Sequence, residues 1–186
     1  RTYLLQILTK TNALYDNKNT MNNSYDFLKY HLPRYNELPD EEVYMDKLIA
    51  ILSEYLEPFE IPSDEKIITA TMVNNYVKQK VIPAPVKKKY SKTHMIYLIS
   101  IAINKTVLSI NDTAVLIKRQ MEEYPLEVAY DFFAEQLENA LKVTFGSRDF
   151  AEANSEREKT ELSKLVRSAL LSFANKIYVK SILYKD

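Results

Sequence analysis

One glycine, Gly146, has to serve all 186 residues, and that scarcity already narrows the architecture. Glycine supplies the left-handed turns of tight β-hairpins and the close backbone approach of phosphate-cradling loops. Its near absence argues for helices joined by polar and proline turns, and against both a β-rich fold and a glycine-rich nucleotide loop. Cysteine is missing, which leaves neither disulfides nor thiolate metal ligands. The two histidines, His31 and His94, lie in different segments, and neither opens an H-E-x-x-H pattern or sits where a catalytic triad would need it. No metal site, cofactor or catalytic role is expected. Neighbouring carboxylates such as Asp40, Glu41 and Glu42, or Glu122 and Glu123, read as helix-end charge. No uninterrupted run of 18 apolar residues exists to span a membrane, and Leu4, Leu5, Ile7 and Leu8 are too few for a signal peptide. A cytoplasmic location is the expectation.

The most informative absence is that of negative charge in the middle of the chain. Net charge is zero, yet the 46 residues from Lys66 to Asn111 contain no Asp or Glu. They do contain Lys66, Lys78, Lys80, Lys87, Lys88, Lys89, Lys92 and Lys105, while the remainder holds all 25 acids against 17 bases. Such segregation suits a module that meets a polyanion, attached to a body that does not. A solvated lysine-rich loop is the plainer alternative, and it leaves so long an acid-free stretch unexplained.

Within that stretch, Ile68, Met72, Val73, Tyr76 and Val77 recur at helical spacing. Thr71, Asn74, Asn75 and Lys78 then fall on the opposite face, made of amides and ammonium groups. Pro83 and Pro85 forbid further helix, because each lacks an N–H and holds its predecessor extended. Lys87-Lys88-Lys89-Tyr90 follows, and Ser91 is a cap for a second helix. The result is helix, proline-stiffened arm with a lysine triplet, helix.

This order resembles the MerR-type winged helix, with its TLRYYE-x-x-GLIPP signature, its wing ending R-x-Y-S and a helix after it. Tyr76 matches the second tyrosine, Val81-Ile82-Pro83 the LIP, Lys88-Lys89-Tyr90-Ser91 the wing's end, and Leu108-Ser109-Ile110-Asn111-Asp112 the F-S-L-E-E that opens the next helix. Asn74 replaces the usual arginine and Asn75 the first tyrosine. Lys80 stands at the turn glycine, so a turn of different shape is expected there. The resemblance covers about a quarter of the chain. It implies an all-α helical bundle containing a winged helix-turn-helix with a short wing. More widely, the chain, with Leu32-Pro33-Arg34-Tyr35-Asn36-Glu37-Leu38-Pro39 ahead of that segment, resembles an uncharacterised bacterial family known only as a domain of unknown function. That likeness implies an all-helical body and no activity.

The organisation expected is an N-terminal arm over 1–24, a helical segment over 25–64, the winged segment over 65–118 and a C-terminal helical segment over 119–186. In the arm, a short apolar helix from Thr2 to Leu14 is possible. Tyr25 to Tyr30 suggests a helical turn, and Leu32 to Pro39 an extended surface run. Asp40 reads as an N-cap, with Glu41 and Glu42 in the first turn of a helix through Leu56. Met95 to Ile103 is apolar all round, which fits a buried helix better than the alternative central strand. Ser109 with Asp112 starts a helix through Met121, and Pro125 begins another, lined by Leu126, Ala129, Tyr130, Phe133, Leu137, Ala140 and Leu141 and ended by Gly146. A last helix over 155–183 carries the stripe Leu162, Leu165, Val166, Ala169, Leu170, Phe173 and Ile177. Tyr124, Tyr130, Phe132 and Phe133 either line an effector pocket or, the better reading, pack in the core.

The function expected is a DNA-binding transcriptional regulator. Asn74 and Asn75 would meet base edges, since an asparagine amide pairs with adenine N6 and N7. Thr71 shares that face. Lys78, Lys80, Lys87, Lys88 and Lys89 would contact phosphates. Tyr76 and Tyr90 each offer a hydroxyl to a phosphate, although ring packing is the favoured role for both. A homodimer through the C-terminal helices is expected, because paired half-sites are the usual way operators are read. The alternative is a protein–protein interaction module on the same scaffold, and any small-molecule effector is left open.

Overall fold

The computed structural model describes residues 26–60, 66–146 and 160–184. Six α-helices are present among them: α1 Met45–Leu56, α2 Ala70–Lys78, α3 Lys92–Asn104, α4 Ile110–Glu123, α5 Leu126–Phe145 and α6 Glu161–Leu183. Three single 3-10 turns add to these, at Phe27–Lys29, Tyr35–Glu37 and Glu57–Phe59. The described residues contain no strand, only two isolated antiparallel bridges, so the fold is all-α. No described helix is long and apolar enough to cross a membrane. The expected arm over 1–24 and the start of the last helix at 155–159 lie outside the described residues.

Caps place the helix starts as local chemistry demands. Thr69 accepts from Met72 N–H, Ser109 from Asp112 N–H and Thr160 from Ser163 N–H, each satisfying an orphan donor of the first turn. Pro125 precedes α5, where its missing N–H costs nothing. Gly146 ends α5 at φ −102°, ψ −110°, so the lone glycine is not used for a left-handed turn. Space is what requires it: a Cβ there would lie 2.5 Å from the Lys142 carbonyl oxygen.

α3 is the axle of the bundle. It packs against α1, α4, α5 and α6, and every residue from Met95 to Ile103 except Tyr97 is buried. The helix reading of that run therefore holds. α5 and α6 make the most extensive helix pair. Of the α6 stripe, Leu162, Val166, Ala169, Leu170, Phe173 and Ile177 are buried within the chain and only Leu165 is exposed. The chain's own core covers the stripe, so the stripe itself gives no argument for the homodimer expected through the C-terminal helices. Tyr130 and Phe133 are fully buried core residues, while Tyr124 and Phe132 border a space of only about 10 Å³, too small for an effector. One continuous core cluster runs from Phe27 to Ile177, and α4 passes unbroken through residues 118 and 119.

Two expectations near the N-terminal end need correction. Asp40 does not cap α1, which begins at Met45 behind Tyr44. Val43 instead pairs with Tyr90 through two backbone hydrogen bonds of 3.0 and 2.8 Å, and a residue held in a bridge cannot join a helix. The run from Leu32 to Pro39 is no loose surface strand either. Leu32 and Leu38 are buried, and the 3-10 turn at Tyr35–Glu37 folds between them. Glu138 of α5 clasps this run: its carboxylate accepts from both Arg34 Nη atoms (2.7 and 2.9 Å) and from Leu32 N–H (3.2 Å), and lies 3.1 Å from His31 Nδ1. Asp131 accepts from Tyr35 N–H, and Tyr130 donates its hydroxyl to the Pro33 carbonyl. Burial raises the Glu138 pKa, but the Arg34 hydrogen bonds and charge outweigh it and the net shift is downward.

Candidate nucleic-acid interface

α2 buries Val73 and Tyr76 and turns Thr71, Asn74, Asn75 and Lys78 to solvent, the face expected from its pattern. Its end departs from expectation. Val81 N–H reaches the Tyr76 carbonyl and Lys80 N–H the Val77 carbonyl, at 2.9 and 3.0 Å, with Lys80 at φ 57°. That is the left-handed helix stop ordinarily given to glycine. Lys80 thus keeps the shape of the glycine turn instead of changing it.

The arm after Pro83 and Pro85 ends in a second left-handed feature. Lys89 N–H donates to the Val86 carbonyl at 2.9 Å, and the two residues between, Lys87 and Lys88, have φ of 49° and 64°. Positive φ at both central positions defines the I′ turn, which favours Asn-Gly. The expected wing is therefore cut down to one two-residue turn without strands. Its base is tied to the body by the Tyr90–Val43 bridge, and Lys89 lies 5.5 Å above the Tyr44 ring. Among the described residues, the left-handed non-glycine positions are Lys80, Lys87 and Lys88, all exposed and all in the acid-free stretch.

The other expected contacts separate. Tyr76 and Tyr90 are 8 % and 4 % exposed, and burial raises both phenol pKa values. Their rings pack, which leaves their hydroxyls little access to a phosphate. Lys92 is not free charge: its ammonium is 2.6 Å from Asp40 and 4.6 Å from the centre of the Tyr35 ring. No ion pair among the described residues engages Lys78, Lys80, Lys87 or Lys88.

The histidine at the base of the turn was not read from the sequence as part of this unit, although Ser91 three residues before it was a visible signal. Ser91 N–H donates to His94 Nδ1 at 3.0 Å, and Ser91 Oγ lies 2.9 Å from the same atom. Histidine here takes the role that Glu or Gln plays in a capping box. A nitrogen that accepts from a backbone N–H carries no proton, so the ring is neutral with its hydrogen on the buried Nε2. The ring meets Tyr90 edge-on at 5.4 Å. Burial pushes the His94 pKa below the ordinary 6.5, against the opposing influence of the Ala84 and Pro83 backbone and the Glu42 charge. The folded state thus binds fewer protons than the unfolded one below that value. This contribution to stability is complete above pH 6.5 and is lost as pH falls beneath it. His94→Gln keeps an acceptor at the same position and does not titrate. Between about pH 7.5 and about pH 5.5, thermal melts are expected to fall more steeply for wild type than for His94→Gln; parallel curves would remove His94 from the account.

These features define a class before they define a relative: a small helical body carrying an acid-free helix face and a lysine-tipped turn. The chain belongs to the family described as Domain of unknown function (DUF1836), whose model matches residues 33–133. That match opens at Pro33, spans α1 to α4 and ends at Phe133 within α5, so it contains the whole lysine-bearing unit. Comparison with curated proteins and with solved structures finds no match.

Proposed function

We propose that this chain is a DNA-binding transcriptional regulator, with α2 as its recognition helix and the Lys87–Lys88 turn as a minimal, MerR-like wing. The observation that carries the reading is the placement of lysine at all three left-handed positions among the described residues. A left-handed conformation costs a non-glycine residue about 1–2 kcal/mol, and strain of this kind collects at functional sites. Three exposed ammonium groups in strained backbone, beside a helix face of Thr71, Asn74, Asn75 and Lys78 with no acid, suit a polyanion. Lys78, Lys80, Lys87 and Lys88 would hold phosphates and Asn74 and Asn75 would read bases. The second reading, a protein–protein interaction module, is favoured by asparagine standing where the MerR signature has arginine.

Selection of bound duplexes from a random pool, followed by salt titration, separates the two. Phosphate contacts release counterions, so log affinity should fall steeply and linearly with log salt. Asn74→Ala is expected to cost about 1–3 kcal/mol at one base position and little elsewhere. No enriched sequence and no salt slope would favour the interaction module.

A further inference from the structure

α4 and α6 leave a groove of about 410 Å³ between them that the helical core does not fill. Val115 of α4 is 55 % exposed there and Leu165 of α6 44 %. Scattered exposed apolar residues are ordinary, but two lining one groove, continued by Leu108 and Leu116, make a patch that another surface would cover. On the α6 side, the Ser168 and Ser172 hydroxyls donate into their own helix, to the Lys164 and Ser168 carbonyls at 2.8 Å each. A helix can approach these small side chains without orphaning a donor.

Charge says which helix. Asp112 and Arg119 both line the groove and lie seven residues apart on the same side of α4, with Val115 and Leu116 midway. The Asp112 carboxylate accepts from Ser109 Oγ at 2.6 Å and has capacity for a second donor. The neighbouring Lys118 and Glu122 already pair with each other at 3.6 Å. A second α4 laid antiparallel about a two-fold axis through that midpoint sets Asp112 opposite the partner's Arg119, and Arg119 opposite the partner's Asp112. A two-fold contact must be self-complementary in this way. The geometry points to the α4–α6 groove as the contact of a homodimer, with a second copy of this chain as its occupant. The surface differs from the C-terminal stripe expected of a dimer, since that stripe is buried apart from Leu165, and of its residues Leu165 and Ala169 border the groove. The DNA-binding reading supplies the use of such a pair, two recognition helices for two half-sites.

Sedimentation velocity at tens of micromolar, without DNA, tests the contact. The wild-type chain is expected to run as a dimer. R119E sets acid against acid and D112K base against base, so each alone should run as a monomer, as should V115E. An equimolar mixture of R119E and D112K restores opposite charges at both contacts and should run as a dimer. Cooperative thermal melts of R119E and V115E, whose side chains are exposed, separate dissociation from unfolding. A wild-type monomer, a dimer untouched by R119E and V115E, or a folded mixture that stays monomeric overturns the proposal. Because no duplex enters the measurement, its failure leaves the DNA reading standing, and the converse also holds.

Discussion

Replacing Lys87 and Lys88 by Asn and Gly is expected to make the protein more stable and worse at binding duplex DNA. The stability change follows from the backbone. Both residues sit at positive φ in an I′ turn, the geometry for which Asn-Gly is the preferred pair. Relief of about 1–2 kcal/mol at each position is the upper bound, and glycine's greater freedom in the unfolded chain returns part of it. A rise of several degrees in the melting midpoint is the expected net result for a domain of this size. The affinity change follows from charge. Two exposed ammonium groups disappear, so binding should weaken across all sequences and the salt slope should flatten by about one unit for each lost contact. Lys87→Ala/Lys88→Ala/Lys89→Ala should show the same loss of binding without the gain in stability, since alanine suits a left-handed turn no better than lysine. Melts and salt-dependent binding curves on the same preparations read both effects. Unchanged duplex affinity in the triple variant would detach the turn from DNA altogether.

Leu98→Asp is expected to abolish cooperative folding. Leu98 is fully buried near the middle of α3, the helix that touches α1, α4, α5 and α6 at once. An unpaired carboxylate in an apolar core costs several kcal/mol at the least, even after its pKa rises to leave it neutral. Total stabilities are only about 5–15 kcal/mol. Leu98→Ala provides the graded comparison: a cavity cost of about 2–5 kcal/mol, with a lower but still cooperative melt. Circular dichroism distinguishes them. A near-wild-type melt for Leu98→Asp would put α3 at the surface and contradict the core.

The apolar run from Met95 to Ile103 could be read as a buried helix because a helix without a polar face has nowhere else to go. The exposed face of α2 was equally readable, since spacing alone assigns Thr71, Asn74, Asn75 and Lys78 to one side. The left-handed turn at Lys80 was not. Composition argues that a chain with one glycine avoids such turns, and no residue-level preference for lysine at positive φ exists to say otherwise. The burial of Tyr76 and Tyr90 agrees with the ring packing favoured for both, whereas the neutralisation of Lys92 by Asp40 was invisible, because it depends on a neighbour distant in the chain.

Local chemistry therefore settled the helices, their caps and the segregation of charge. Thr69, Ser109 and Thr160 act on N–H groups within three residues, and such short-range bonds are written in the order of the residues. Tertiary packing settled what adjacency cannot encode. Val43 left the helix for Tyr90, Arg34 found Glu138 across 104 positions, and the α6 stripe was covered by the chain's own core rather than by a partner. An amphipathic pattern states that a face must be buried and is silent on what buries it. That choice belongs to the helices meeting in three dimensions.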